Sequence, residues 1–164
     1  GFQKRVTNPR NKSTTSSFQV FDEPSESALT QMTAPEGVNL SIARDIFGKP
    51  TSMTRSGSYG GSPVSNTRKF VYDAYHRLCK TIEPEIGVMK QKWDDANNIL
   101  WRASGTTGPS LDICGEEYVT AGEKVSYTYD AMNRLRSTLM ATVVPASPAH
   151  IHRTACRKPS PPMV

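Results

Sequence analysis

The sequence is short of the residues that most function classes need. Across 164 residues it has 3 histidines and 3 cysteines. Cys79, Cys114 and Cys156 form no CxxC pair and have no histidine pair at metal-ligand intervals, which argues against a zinc site. His76 falls in a turn motif, and His150 and His152 lie in an irregular C-terminal stretch, so none has a serine, cysteine or aspartate partner for nucleophilic catalysis. No apolar run approaches the roughly 18 residues of a membrane-spanning helix. No basic-then-apolar leader opens the chain, and Gly1 stands where an initiator Met would. The expectation is a piece of a longer protein whose export depends on other segments.

Charge of one sign is also scarce. The formal net charge of +5 falls to +2 once Arg153, Arg157 and Lys158 are set aside, and no acid follows residue 138. A nucleic-acid binder concentrates Lys and Arg on one stripe interleaved with aromatics, so this balance disfavours nucleic acid as a partner. The glycines from Gly57 to Gly61 lack the Gly-Lys-Ser/Thr ending and the following helix of a phosphate loop. Asp94 and Asp95 are adjacent, so on a strand they point to opposite faces and cannot act on one bond. With no metal, base or nucleophile constellation, the expectation is no enzyme and no cofactor.

What the chain does have is an internal repeat. The stretches starting at Phe18 (FQVFDEPSE), Arg44 (RDIFGKPTS), Tyr72 (YDAYHRLCK), Trp93 (WDDANNILW) and Tyr129 (YDAMNRLRS) align without gaps over nine positions. Position one is aromatic at Phe18, Tyr72, Trp93 and Tyr129, with Arg44 the exception. Position two is Asp45, Asp73, Asp94 and Asp130 in all copies but the first. Position five is Asp22, Gly48, His76, Asn97 or Asn133, mostly residue types that tolerate a left-handed backbone. Position seven is Pro24, Pro50, Leu78, Ile99 or Leu135, an apolar restart after the turn.

Side chains alternate on entry, as in Phe70-Val71-Tyr72 and Tyr127-Thr128-Tyr129, and again on exit from Leu78 to Ile82 and from Leu135 to Thr138. Each repeat therefore predicts a β-hairpin, with the aspartate accepting backbone N–H bonds across the turn. Lone hairpins cannot bury an apolar face, so about five such units are expected side by side in an all-β, antiparallel sheet. Ser56–Pro63 and Ser104–Pro109 read as Gly/Ser/Pro surface linkers. The one helical candidate is a turn or two over Ala28–Met32. Cys79 and Cys114 could pair in an exported parent or remain two partly buried thiols.

The stretches Phe70-Val71-Tyr72-Asp73-Ala74-Tyr75-His76-Arg77-Leu78 and Tyr127-Thr128-Tyr129-Asp130-Ala131-Met132-Asn133-Arg134-Leu135 resemble the YD repeat of RHS proteins, roughly YxYDxxGRL. His76 and Asn133 replace the usual glycine. Pro35-Glu36-Gly37-Val38 and Asp45-Ile46-Phe47-Gly48-Lys49-Pro50-Thr51 look like less regular repeats, and the resemblance covers residues 5–138. It implies a curved, spiralling sheet that forms part of a hollow shell in large exported bacterial proteins of the wall-associated or polymorphic-toxin kind. The segment would then be structural, secreted or at the cell surface. Its partners would be the remaining repeats and the C-terminal segment of the parent. The Asp-Pro and Gly-Leu plug motif of the family is not found. A second reading is a glycan- or cell-wall-polymer-binding module stacking sugars on Trp93 and Trp101. Against it stands the expectation that Trp93 is the repeat's core aromatic and Trp101 its same-face neighbour.

Residues 139–164 abandon the pattern where Tyr129-Asp130 promises a further strand. Codons compatible with this stretch, read one base earlier, spell Tyr-Gly-Asp-Gly-Ser-Pro from Leu139 to Pro145, and Tyr-Thr-Pro-Asp-Gly-Leu-Pro-Gln-Thr-Val-Thr-Ala-Asn-Gly from His150 onward. Both contain turn-forming runs. The expectation is a YD-repeat segment over 1–138 and an off-frame, disordered tail over 139–164, in which Cys156, His150 and His152 carry no selected role.

Overall fold

A computed structural model describes residues 1–20, 25–106 and 112–140. They form one 11-stranded antiparallel sheet in which every strand pairs with its neighbours in chain order. The strands are β1 Phe2–Thr7, β2 Ser13–Phe18, β3 Leu29–Thr33, β4 Asn39–Arg44, β5 Pro50–Tyr59, β6 Ser62–Tyr72, β7 Leu78–Glu83, β8 Gly87–Trp93, β9 Ile99–Ser104, β10 Lys124–Tyr129 and β11 Leu135–Met140. The sheet is open and not strongly curled, and the described residues contain no α-helix, only short 3-10 turns at Glu116–Tyr118 and Ala121–Glu123. The all-β, antiparallel expectation is met.

The repeat maps onto the sheet with one rule. In a meander, alternate connections fall at the same end, and the five repeats supply those between β2 and β3, β4 and β5, β6 and β7, β8 and β9, and β10 and β11. At each, the pairing register shifts at position one: Phe18 faces Leu29, Arg44 faces Pro50, Tyr72 faces Leu78, Trp93 faces Ile99 and Tyr129 faces Leu135, with one extra residue on the outgoing strand. Such bulges increase local twist and re-aim side chains. The turn expected at Asp22 and Pro24 lies outside the described residues.

Three expectations need correction. Ala28–Met32 is not helical: Leu29–Thr33 is β3, held between β2 and β4, and Thr30 Oγ1 donates to the Ser17 carbonyl at 3.1 Å. Two flanking ladders outweigh a weak local helical preference. Ser56–Pro63 is not a linker but the far end of the longest hairpin, with Ser56 opposite Ser65 and Tyr59 opposite Ser62. Gly60 and Gly61 are both left-handed, at φ 59° and 81°, and close it as a two-residue turn. Finally, β11 runs through Leu139 and Met140, past the expected boundary at 138; the rest of the expected tail lies outside the described residues.

A single-layer sheet has little interior, and burial concentrates where something lies on it. Residues 112–123, the later part of the connection between β9 and β10, lie against β7, β8 and β9, and their Val119 forms a small apolar cluster with Trp101 and Ala103 of β9.

Candidate functional site

Two constructions stand out: the row of aspartate turns along one end of the sheet, and the excursion clamped onto its face.

Each aspartate turn closes in the same way. The Asp45 amide donates to the Lys49 carbonyl and the Gly48 amide donates back to the Asp45 carbonyl, and the same pair of bonds recurs at Asp73, Asp94 and Asp130. The aspartate Oδ1 accepts from amides inside the loop: Phe47 and Lys49 at Asp45, Tyr75 and Arg77 at Asp73, Asn98 at Asp94, Met132 and Arg134 at Asp130, all at 2.7–3.0 Å. Position five is left-handed in the four described copies, at Gly48 φ 77°, His76 58°, Asn97 64° and Asn133 59°. Asparagine serves because its short polar side chain eases that conformation. A fifth turn of this kind among the described residues, missed in the sequence, joins β1 and β2 at the opposite end. Asn8 Oδ1 accepts from Arg10 and Lys12, and Asn11 is left-handed at 59°. Its signal is two asparagines three apart, without the aromatic that marks the others.

The turns are coupled to one another. At position one, Tyr72 Oη donates to Pro50 O at 2.9 Å, Trp93 Nε1 to Leu78 O at 2.8 Å and Tyr129 Oη to Ile99 O at 3.1 Å. Pro50, Leu78 and Ile99 each begin the odd-numbered strand of the preceding repeat. Arg44, the exception in sequence, does the same job with Nε and Nη2 on the carbonyl of Leu29, which begins β3. What position one conserves is a donor of sufficient reach. Phe18 has none and packs its ring on Phe2, 5.9 Å away.

Position six reaches the other way. Lys49 Nζ donates to the His76 carbonyl, Arg77 Nη1 to Asp94 O and to Asn97 Oδ1, and Asn98 Nδ2 to Asn133 Oδ1. Arg77 also pairs with its own Asp73, and Arg134 with Asp130, both at 2.8 Å. Burial alone would raise Asp73, but the Arg77 amide and guanidinium, with the Tyr75 amide, hold it below the usual carboxylate range. The Asn98 amide and side chain lower Asp94, and those of Arg134 lower Asp130. Burial, then the negative charge of Asp45, raises Tyr72 and keeps its hydroxyl a donor.

The excursion is held from below by lysines. Cys79 and Cys114 form a disulfide. Lys80 Nζ donates to Ile113 O at 3.4 Å and Lys90 Nζ to Gly115 O at 2.9 Å, while Lys92 pairs with Glu116 at 2.7 Å. The Tyr118 ring lies 5.5 Å from the Lys90 ammonium. Burial, then the Lys90 charge, pushes the Lys80 ammonium down, against the opposing pull of Asp112 and Glu117.

The two tryptophans are not brought together. Trp101 pairs directly with Lys92, whose neighbour Trp93 points to the other face, so the same-face expectation fails. The register shift between Lys92 and Trp93 is the cause. Trp101 is 8 % exposed, packed on Val119, with Lys124 Nζ 4.6 Å from its ring centre. Trp93 is half-buried and occupied at Leu78. Among the described residues no group of three or more His, Cys, Asp or Glu is placed to hold a metal ion. No family model matches the chain, and no curated protein matches it.

Proposed function

We propose that this chain is a wall segment of the RHS/YD-repeat type: part of a curved, spiralling sheet enclosing another portion of a larger exported protein, with no catalysis of its own. The observation that carries this reading is the two-way interlock of the repeats. Position one of four repeats, Arg44, Tyr72, Trp93 and Tyr129, reaches back to the repeat before it, and position six of three, Lys49, Arg77 and Asn98, reaches forward to the next. A unit built this way is completed by its neighbours in the sheet, as in repeat architectures generally. The Tyr-Asp turns of Tyr72-Asp73 and Tyr129-Asp130 support the family assignment. The Cys79–Cys114 disulfide supports an oxidising compartment, where such bonds persist. The partners are further repeats and the C-terminal segment of the parent.

Electron microscopy of the full-length protein tests this. The expected result is a hollow, sheet-walled particle with this segment in its wall and an enclosed portion protected from added protease. A segment standing apart from any shell would overturn the reading. So would glycan or peptidoglycan binding by the chain that is abolished by Trp101→Ala.

A further inference from the structure

The chain contains two Asn-x-Ser/Thr tripeptides, Asn11-Lys12-Ser13 and Asn39-Leu40-Ser41. Neither has proline in the middle, so both meet the pattern of N-linked glycosyl transfer: a carboxamide to carry the sugar and a hydroxyl two residues on. The fold treats them in opposite ways.

Asn39, Leu40 and Ser41 lie within β4 and are laddered on both sides, to Thr33, Met32 and Gln31 of β3 and to Ser56, Arg55 and Thr54 of β5. Asn39 is half-buried, and its Nδ2 donates to the Gly37 carbonyl at 3.3 Å. An enzyme that grips these three residues must first break two ladders. Asn11 and Lys12 stand exposed in the turn between β1 and β2. Ser13 faces Thr7 in the last pair of that hairpin, and the β2 pairing with β3 begins only at Thr15. β1 is an edge strand, so opening this corner disturbs pairing on one side alone, the cheapest kind of local opening.

Asn11 also keeps its carboxamide unused. It takes the left-handed place, at φ 59°, that Asn97 and Asn133 take in the aspartate turns. There the side-chain oxygens accept from Arg77 and Asn98. Among the described residues no hydrogen bond engages the Asn11 side chain, because Asn8 Oδ1 takes the Arg10 and Lys12 amides. The turn uses the Asn11 backbone and leaves Nδ2 open to chemistry.

We propose that Asn11-Lys12-Ser13 is an N-glycosylation site of the folded chain, and that the fold withholds Asn39. The donor is a sugar pyrophosphate, the chemistry shared by lipid-linked and nucleotide-linked donors. Asn11 Nδ2 attacks the anomeric carbon, the new C–N bond replaces the C–O bond to the pyrophosphate, and the leaving group departs with that electron pair. One amide proton passes to a base of the transferase, and nothing is oxidised or reduced. The site goes beyond the wall-segment reading and does not rest on it.

The test is glucose transfer from UDP-glucose to the folded full chain, by a soluble N-glycosyltransferase chosen because it modifies free peptides spanning residues 6–18 and 34–46 alike. Mass spectrometry maps the sugar. In the folded chain Asn11 is expected to be modified at least about tenfold faster than Asn39, the difference set by the cost of local opening. Ser13→Ala and Asn11→Gly should each abolish transfer at the turn, and Asn11→Gly keeps the left-handed backbone, so its sheet signal by circular dichroism should be unchanged. Equal modification of Asn11 and Asn39 in the folded chain would overturn the selection by the fold. An unmodified Asn11 in the folded chain would overturn the site itself, and so would a bare Asn11 in the protein isolated from its source.

Discussion

The hydroxyl of Tyr72 donates to the carbonyl of Pro50 across 2.9 Å, linking the end of one strand to the start of another 22 residues earlier. Pro50 opens β5 and Tyr72 closes β6, so the bond ties the turn after β6 to the turn before β5. The equivalent bonds from Trp93, Tyr129 and Arg44 make this the stitch that aligns the end of the sheet.

Removing the stitch should cost what one partly buried hydrogen bond is worth. Tyr72→Phe is expected to lower stability by about 1 kcal/mol, since it deletes the donor and keeps the ring. Arg44→Leu should cost at least as much, while Arg44→Tyr, which restores a donor of the kind used elsewhere, should recover most of it. Urea unfolding of the three variants decides this. Equal stability of Arg44→Leu and Arg44→Tyr would refute the donor role.

The Asn8 turn shows that the carboxylate charge is dispensable to the loop itself, because an amide oxygen accepts the same two backbone bonds. Asp73→Asn should therefore keep the turn and lose the Arg77 ion pair, whereas Asp73→Ala loses both. The expected costs are about 1 kcal/mol for Asn and about 2–3 kcal/mol for Ala. Chemical denaturation that ranks the two equally would assign the whole effect to the ion pair.

Acid should weaken the fold over a defined range. Hydrogen bonds hold Asp73, Asp94, Asp130 and Glu123 below their ordinary range in the folded chain. A depressed folded pKa means the stabilisation is fully present above the unfolded value, about 4, and is lost as pH falls through the folded value. The urea midpoint should be level from about pH 5 to about pH 7 and drop below about pH 4. A triple Asp73→Asn, Asp94→Asn, Asp130→Asn variant should drop less steeply; an identical slope would show that other groups carry the acid sensitivity.

Position five tests backbone strain. Asn97 is left-handed at φ 64° with Oδ1 bound to Arg77. Asn97→Val should destabilise by about 1–2 kcal/mol, since a β-branched residue resists that conformation. Asn133→Gly should be tolerated within about 0.5 kcal/mol, trading easier backbone geometry against the contact from Asn98. Thermal melts of both read it out, and a neutral Asn97→Val would mean that the turn can reshape.

Much of the fold was legible because its signals are local. An aspartate and a left-handed position three residues on form one turn whatever surrounds them, and alternation into and out of that turn predicts strands. Arg44 looked like a defect because only chemistry of one type, aromatic, was read at position one, when the shared property is a long donor. The Asn8 turn went unread because it lacks that neighbour, and Leu29–Thr33 because its strand character comes from the ladders on either side.

The sequence by itself determined the hairpin turns, the strand alternation and the antiparallel class, all of which depend on residues within a few positions of each other. Tertiary structure alone decided the face of Trp101, the pairing of Cys79 with Cys114, and the burial of Lys80 and Lys90. The residues concerned lie far apart in the chain: Lys90 meets Gly115 across 25 positions, Lys80 meets Ile113 across 33, and the cysteines are separated by 35. A lysine on a strand ordinarily faces water. Only the return of the excursion over the sheet takes that water away.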